Sequence, residues 1–133
     1  QTGNVIGVDD ASFTIREGEI LVVMGLSGSG KSTLIRCVNR LIEPTFGTID
    51  VDGVDITKLD HDELRVLRRK KFGMVFQSFA LLPHKTVRNN VEFGLEIQGV
   101  DQKKREEAAE RALELVGLKG WGKYYPDNLS GGM

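Results

Sequence analysis

The apolar and polar positions alternate between two spacings along this chain. Residues 11–16 alternate with Phe13 and Ile15 on one face, which predicts a strand stopped by the turn Glu17-Gly18-Glu19. Ile20 to Met24 is a continuous β-prone run and predicts a strand buried on both faces. A glycine-rich segment, 25–30, comes next, and helical spacing carries on to about Leu41, where Pro44 bars continuation past Glu43. Thr48 to Asp52 alternates again, with Ile49 and Val51 inward, and closes at Gly53. Asp60 followed by Glu63 resembles a capping box and opens a helix carrying Leu64 and Leu67. Phe72 to Phe76 reads as a second buried strand that delivers Gln77 at its end. Leu81 to His84 reads as a loop fixed by Pro83, and Thr86 caps a short helix through Val91 and Leu95. The clearest helix spans about Gln102 to Val116, with Ala108, Ala109, Ala112, Leu113 and Val116 as its apolar stripe and Gly117 as its stop. Together these elements predict an α/β core with antiparallel strands attached and a helical annex.

Composition narrows the class. The 133 residues are 40% hydrophobic and 28% charged, with formal net charge −1, a balance that argues against a broad grip on nucleic acid or anionic lipid. The longest apolar run is far shorter than the ~20 residues that span a bilayer. The lone Cys37 cannot form an internal disulfide, which suits a reducing compartment; with Leu34, Val38 and Leu41 at helical spacing it reads as a small packing residue. The start at Gln1 and the stop just after a Ser-Gly-Gly turn lead us to expect a piece of a longer domain.

Gly25-Leu26-Ser27-Gly28-Ser29-Gly30-Lys31-Ser32 satisfies the pattern G-x-x-x-x-G-K-S/T in full. Glycines let the backbone curl so that successive N–H groups face phosphate oxygens, and the helix that follows adds its positive end. Lys31 would then reach the β- and γ-phosphates, the Ser32 hydroxyl would ligate Mg²⁺, and Thr33 could bond the α-phosphate. A ligand-free glycine turn is the plain alternative. The apolar run before the segment and the helical spacing after it favour the phosphate loop of a nucleotide-binding protein.

Two further segments narrow that superfamily. Gln77 after the apolar run, and Leu129-Ser130-Gly131-Gly132-Met133 after the helical annex, resemble the Q-loop and signature motif of ABC ATPases. The resemblance covers essentially the whole chain. It implies a P-loop NTPase core of ABC type with an antiparallel β-subdomain and a helical subdomain, incomplete at the C-terminus. Residues about 1–85 would form the core and β-subdomain, and about 86–133 the helical subdomain ending at the signature. It also implies that Gln77 contacts Mg²⁺ and the attacking water, and that Ser130, Gly131 and Gly132 bind the γ-phosphate of ATP held by a second, head-to-tail ATP-binding subunit. Lys31 and Gln77 would be the catalytic residues present. The stretches 39–45, 68–71, 75–84 and 125–128 resemble the ATP-binding subunit of glycine betaine/proline importers. That likeness implies a transport ATPase peripheral to the cytoplasmic face of the cell membrane, partnered by integral permease subunits and, indirectly, an extracytoplasmic substrate-binding protein.

Two departures qualify the likeness. Many members stack an upstream aromatic on adenine, yet residues 1–12 contain none, and Phe13 reads as core. Either Val5 and Ile6 supply an apolar platform, or the stacking residue precedes the chain. The family's second acidic strand, its catalytic glutamate and its switch histidine have no counterpart here. Asp50, Asp52 and Asp55 fall on the alternating strand and turn, so we expect the 133-residue chain alone not to turn over ATP. The basic run Arg65, Arg68, Arg69, Lys70, Lys71 reads first as a solvated helix face, and second as a contact for the permease or lipid headgroups. His61 and His84 lack the neighbours of a metal site, and Trp121, Tyr124 and Tyr125 read as packing residues. A soluble ABC-type ATPase of DNA repair or translation, and a nucleotide-binding module without turnover, are the alternatives.

Overall fold

The computed structural model describes residues 5–133, which form two compact units, one through Leu64 and one over Arg65–Met133. The aromatic-free segment singled out above begins in residues 1–4, outside the described residues.

In the first unit, helix α1 spans Lys31–Val38. It stops three residues before the expected Leu41. Asn39 Oδ1 accepts from Leu41 N at 3.1 Å, and Arg40 turns left-handed at φ 53. A non-glycine residue tolerates that region only when held there. Arg40 is held by its guanidinium, which donates to the carbonyls of Ile56 and Leu59 and pairs with Glu43 at 3.0 Å. Strands β1 (Asp50–Val51) and β2 (Val54–Asp55) then pair antiparallel, Asp50 opposite Asp55 and Val51 opposite Val54. Their two-residue connection, Asp52-Gly53 with φ 52 and 81, is the doubly left-handed turn that suits the twist of paired strands. Ile49 and Val51 are half-buried, as the alternation predicts. Ile56, the most buried side chain of the unit, begins a 3-10 turn through Lys58 that Asp55 caps through Thr57 N. Hydrogen bonds from Thr57 and then Lys58 lower the Asp55 carboxyl to about 2.

Helix α2 covers His61–Lys71 and starts with the predicted box: Asp60 Oδ1 accepts from Glu63 N at 2.8 Å while Glu63 Oε2 accepts from Asp60 N at 3.0 Å. Leu64 is buried and Leu67 half-buried.

The second unit is built on α3 (Val87–Ile97) and α4 (Gln102–Leu115), which pack on each other around Val87, Ala109 and Leu113. Thr86 caps α3 through Asn89 N, as expected, and Asp101 caps α4 through the amides of Lys103 and Lys104. Both helices end on left-handed glycines, Gly99 and Gly117, each with paired closing bonds: Val100 N to Leu95 O and Gly99 N to Glu96 O, then Leu118 N to Leu113 O and Gly117 N to Glu114 O. Val116, assigned to the α4 stripe from its spacing, lies past the last helical turn and is exposed. Gly122 is buried, and a Cβ there would sit 3.0 Å from Glu110 Oε1 and 3.3 Å from Arg88 Cβ. Trp121 packs against Tyr124 with ring centroids 5.0 Å apart, but both tyrosines stay about half exposed.

Three expected strands are not formed. Residues 11–16, 20–24 and 72–76 carry no ladder, and Ile20, Met24 and Val75 are more than four-fifths exposed. A strand exists only by pairing its N–H and C=O groups with a neighbour. Among the described residues the sheet has two strands, β1 and β2, which pair with each other and with none of those three runs. The turn after 11–16 does form, with Gly18 left-handed and Glu19 N bonded to Arg16 O at 3.0 Å. No helix among the described residues is long and apolar enough to cross a membrane.

Candidate phosphate-binding site

The segment Gly25 to Thr33 is organised by its own atoms. A turn closed by Ser29 N to Leu26 O at 3.2 Å reverses the chain, and Gly28 and Gly30 take φ 80 and 86, a region that costs glycine nothing. A Cβ on Gly25 would stand 2.7 Å from Ser29 Oγ. On Gly30 it would stand 1.9 Å from the Gly7 carbonyl oxygen, so that position admits no side chain. Gly30 is the N-cap of α1 and accepts from Leu34 N at 2.8 Å; no side chain caps the helix and its first turn has no acidic residue. The positive end of α1 therefore faces the loop without a built-in anion.

Lys31 bends back over this loop. Its ammonium donates to the carbonyls of Gly25 at 2.8 Å and Leu26 at 2.6 Å, and to Ser29 Oγ at 3.3 Å. A cation is thereby stationed over a curled backbone at a helix N-terminus, and every one of these features favours a polyphosphate anion. Ser32 is exposed and Thr33 half-buried, with its methyl group 3.2 Å from where a Gly7 Cβ would project. That contact was not legible in the sequence, since a lone glycine 23 residues before Gly30 carries no spacing signal. Val5 and Ile6 are largely exposed.

Gln77 and Ser130–Gly132 belong to the second unit. Gln77 lies in an exposed turn with Ser78 rather than at the end of a ladder strand. The two residues after that turn, Phe79 and Ala80, are left-handed at φ 61 and 52. Ser130 to Met133 is an exposed turn closed by Met133 N to Ser130 O at 3.0 Å, and space is open around both glycines. Preceding it, Asn128 Oδ1 accepts from Tyr125 N at 3.0 Å and fixes the approach. The basic end of α2 borders a groove of about 350 Å³ lined by Arg65, Arg68, Arg69, Phe72, Ile97 and Gln98, among others. His61 and His84 are exposed, and no group of three metal-binding side chains occurs among the described residues.

Comparison with known proteins decides the family. The ABC transporter family profile matches residues 8–133. The chain belongs to the ABC transporter family. Among its relatives are the glycine betaine transport ATP-binding protein OpuAA of Bacillus subtilis, 58% identical over 99% of this chain and 32% of that protein. The glycine betaine/proline betaine transport system ATP-binding protein ProV of Escherichia coli is 59% identical over 100% of this chain and 33% of that protein. The chain thus spans about a third of the length of these curated relatives. Among solved structures, the dimeric post-hydrolysis state of the ATP-binding cassette MJ0796 bound to ADP and Pi superposes with TM-score 0.81 at 38% identity, over 90% of this chain and 53% of that one. That superposition, together with the family match, establishes the α/β ABC ATPase fold class.

Proposed function

We propose that this chain is the phosphate-binding and signature-bearing part of an ATP-binding subunit that drives uptake of glycine betaine or proline-type osmoprotectants. The observation that carries the nucleotide role is the Lys31 ammonium stationed over a glycine loop at an uncapped helix N-terminus. In this reading Gly25, Leu26, Ser27, Gly28, Ser29 and Gly30 cradle the β- and γ-phosphates of ATP, and Lys31 neutralises them. Ser32 and Gln77 hold Mg²⁺, and Thr33 bonds the α-phosphate. The metal supplies charge neutralisation at the phosphoryl group. Ser130, Gly131 and Gly132 serve ATP bound by a second subunit packed head to tail, for which the dimeric cassette relative is the support. The α3–α4 pair supports a helical subdomain from about residue 86, with the core and β-subdomain before it.

The substrate class rests on the names of the relatives, because nothing in an ATP-binding subunit touches the osmolyte. Permease partners and a peripheral position at the cytoplasmic face of the membrane follow from the same reading, with a substrate-binding protein acting outside. The test is uptake of labelled glycine betaine by cells whose only betaine importer contains this sequence. Lys31→Ala should abolish uptake while leaving the subunit assembled with its permease. Unchanged uptake in that variant would remove the assignment of the loop, and uptake of no quaternary amine by the unaltered system would remove the substrate. Purification without any membrane partner would favour the soluble ATPase reading.

A further inference from the structure

Phe79 and Ala80 occupy consecutive left-handed positions, a region that side chains with a Cβ rarely adopt and that persists only where the surroundings impose it. Side-chain packing does not impose it, because Phe79 is 63% exposed and Ala80 is exposed too. On the upstream side the turn is tied by Phe79 N to Phe76 O at 3.0 Å and Ala80 N to Ser78 O at 2.7 Å. On the downstream side Leu82 O accepts from Lys85 N at 3.1 Å, and one side chain fastens this stretch to α3. Asn90, in the first turns of α3, accepts from Leu82 N through Oδ1 at 2.7 Å. Its Nδ2 lies 3.1, 3.1 and 3.0 Å from the carbonyl oxygens of Leu82, Lys85 and Thr86, and its two hydrogens are shared among them. Leu82 is clasped through both its backbone groups, two residues after the strained pair. Lys85 is also fixed, by Glu96 at 2.6 Å and by the Phe93 ring 4.8 Å away.

We propose that Asn90 is a positioning residue for Gln77: its amide anchors the far end of the 77–82 loop, and that anchor keeps Phe79 and Ala80 left-handed and so holds the Gln77 turn in place. The catalytic meaning of this device rests on the role proposed for Gln77, whereas the mechanical claim does not. Release of the anchor lets the two left-handed residues relax, and Gln77 moves with them. Glycine at position 80 removes the penalty at one of the two left-handed residues and makes the turn less dependent on the anchor.

The experiment uses the complete ATP-binding subunit with its permease and compares Asn90→Ala, Ala80→Gly and the double variant. Asn90→Ala should speed hydrogen exchange across residues 77–86 about tenfold. It should lower kcat for ATP about tenfold with KM within about twofold, because the Lys31 loop keeps its own bonds. Ala80→Gly alone should stay within about twofold of the parent, and in the double variant it should restore a measurable part of both losses. Asn90→Asp, which keeps the acceptor for Leu82 N and removes the donors, should fall between, and it decides the matter if Asn90→Ala fails to fold. Unaltered exchange and turnover in both Asn90 variants, or a double variant as slow and as unprotected as Asn90→Ala, would overturn the proposal. Gln77→Ala separates the two readings: wild-type turnover there removes the role of Gln77, while the exchange measurements still decide whether Asn90 holds the loop.

Discussion

Residues 20–24 and residues 25–38 are neighbours in sequence and contrast in structure. The apolar run has the stronger strand signal, yet it forms no ladder and leaves Ile20 and Met24 more than four-fifths exposed. The glycine loop and α1 buries no residue fully, yet its turn, its left-handed glycines, its helix start and the Lys31 contacts are all formed. The difference is where each element finds its hydrogen-bond partners. A loop and a helix close their bonds within a few residues, whereas a strand needs a second strand at whatever distance in sequence. Elements satisfied locally, or by a neighbouring helix, should therefore carry the stability of this chain.

The largest expected effect lies in the α3–α4 pair. Leu113→Ala removes one of the most buried side chains and should cost about 2–5 kcal/mol in denaturant unfolding of the second unit. A loss under about 1 kcal/mol would mean that α3 and α4 do not form the core described. Next comes the capping box of α2. Asp60→Ala deletes the acceptor for two amides and should cost about 1 kcal/mol, read as lost helicity over 61–71 by circular dichroism or amide shifts.

A pH titration makes a smaller and more local test. The folded Asp55 carboxyl is lowered to about 2 from an ordinary value of 3.8, with the Thr57 hydrogen bond as the main cause. A depressed carboxyl contributes stability above its unfolded value, so that contribution is complete above about pH 4 and disappears as the pH falls through about 2. Amide shifts of Thr57 should follow that titration, and Asp55→Asn should remove it. The smallest effect belongs to the uncovered run: Val22→Ala should change the stability of this chain by no more than about 0.5 kcal/mol, because Val22 is two-thirds exposed. A loss of 2 kcal/mol there would break the contrast, since it would require Val22 to be buried.

The legible parts of the sequence were those with local chemistry. The loop of glycines with Lys31 and Ser32, the Asp60–Glu63 box, the Thr86 cap and the Gly117 stop all act within six residues of their partners. Arg40 was not legible, because its left-handed turn depends on carbonyls at Ile56 and Leu59. Nor were Gly7 against Gly30 and Asn90 against 82–86, where a common residue type acquires a role through a partner that no spacing announces. The strands expected at 11–16, 20–24 and 72–76 failed for the opposite reason: periodicity describes which faces a segment would bury, not whether a neighbouring strand is there to pair with it.

The central claim is that Gly25 to Thr33 is a preformed phosphate site commanded by Lys31. Titration of the chain with Mg-ATP, followed residue by residue through its amide resonances, tests it most directly. The account predicts the largest shifts at Gly28, Gly30, Lys31, Ser32 and Thr33, and their loss in Lys31→Ala. Equal shifts in that variant, or a response centred elsewhere in the chain, would contradict it.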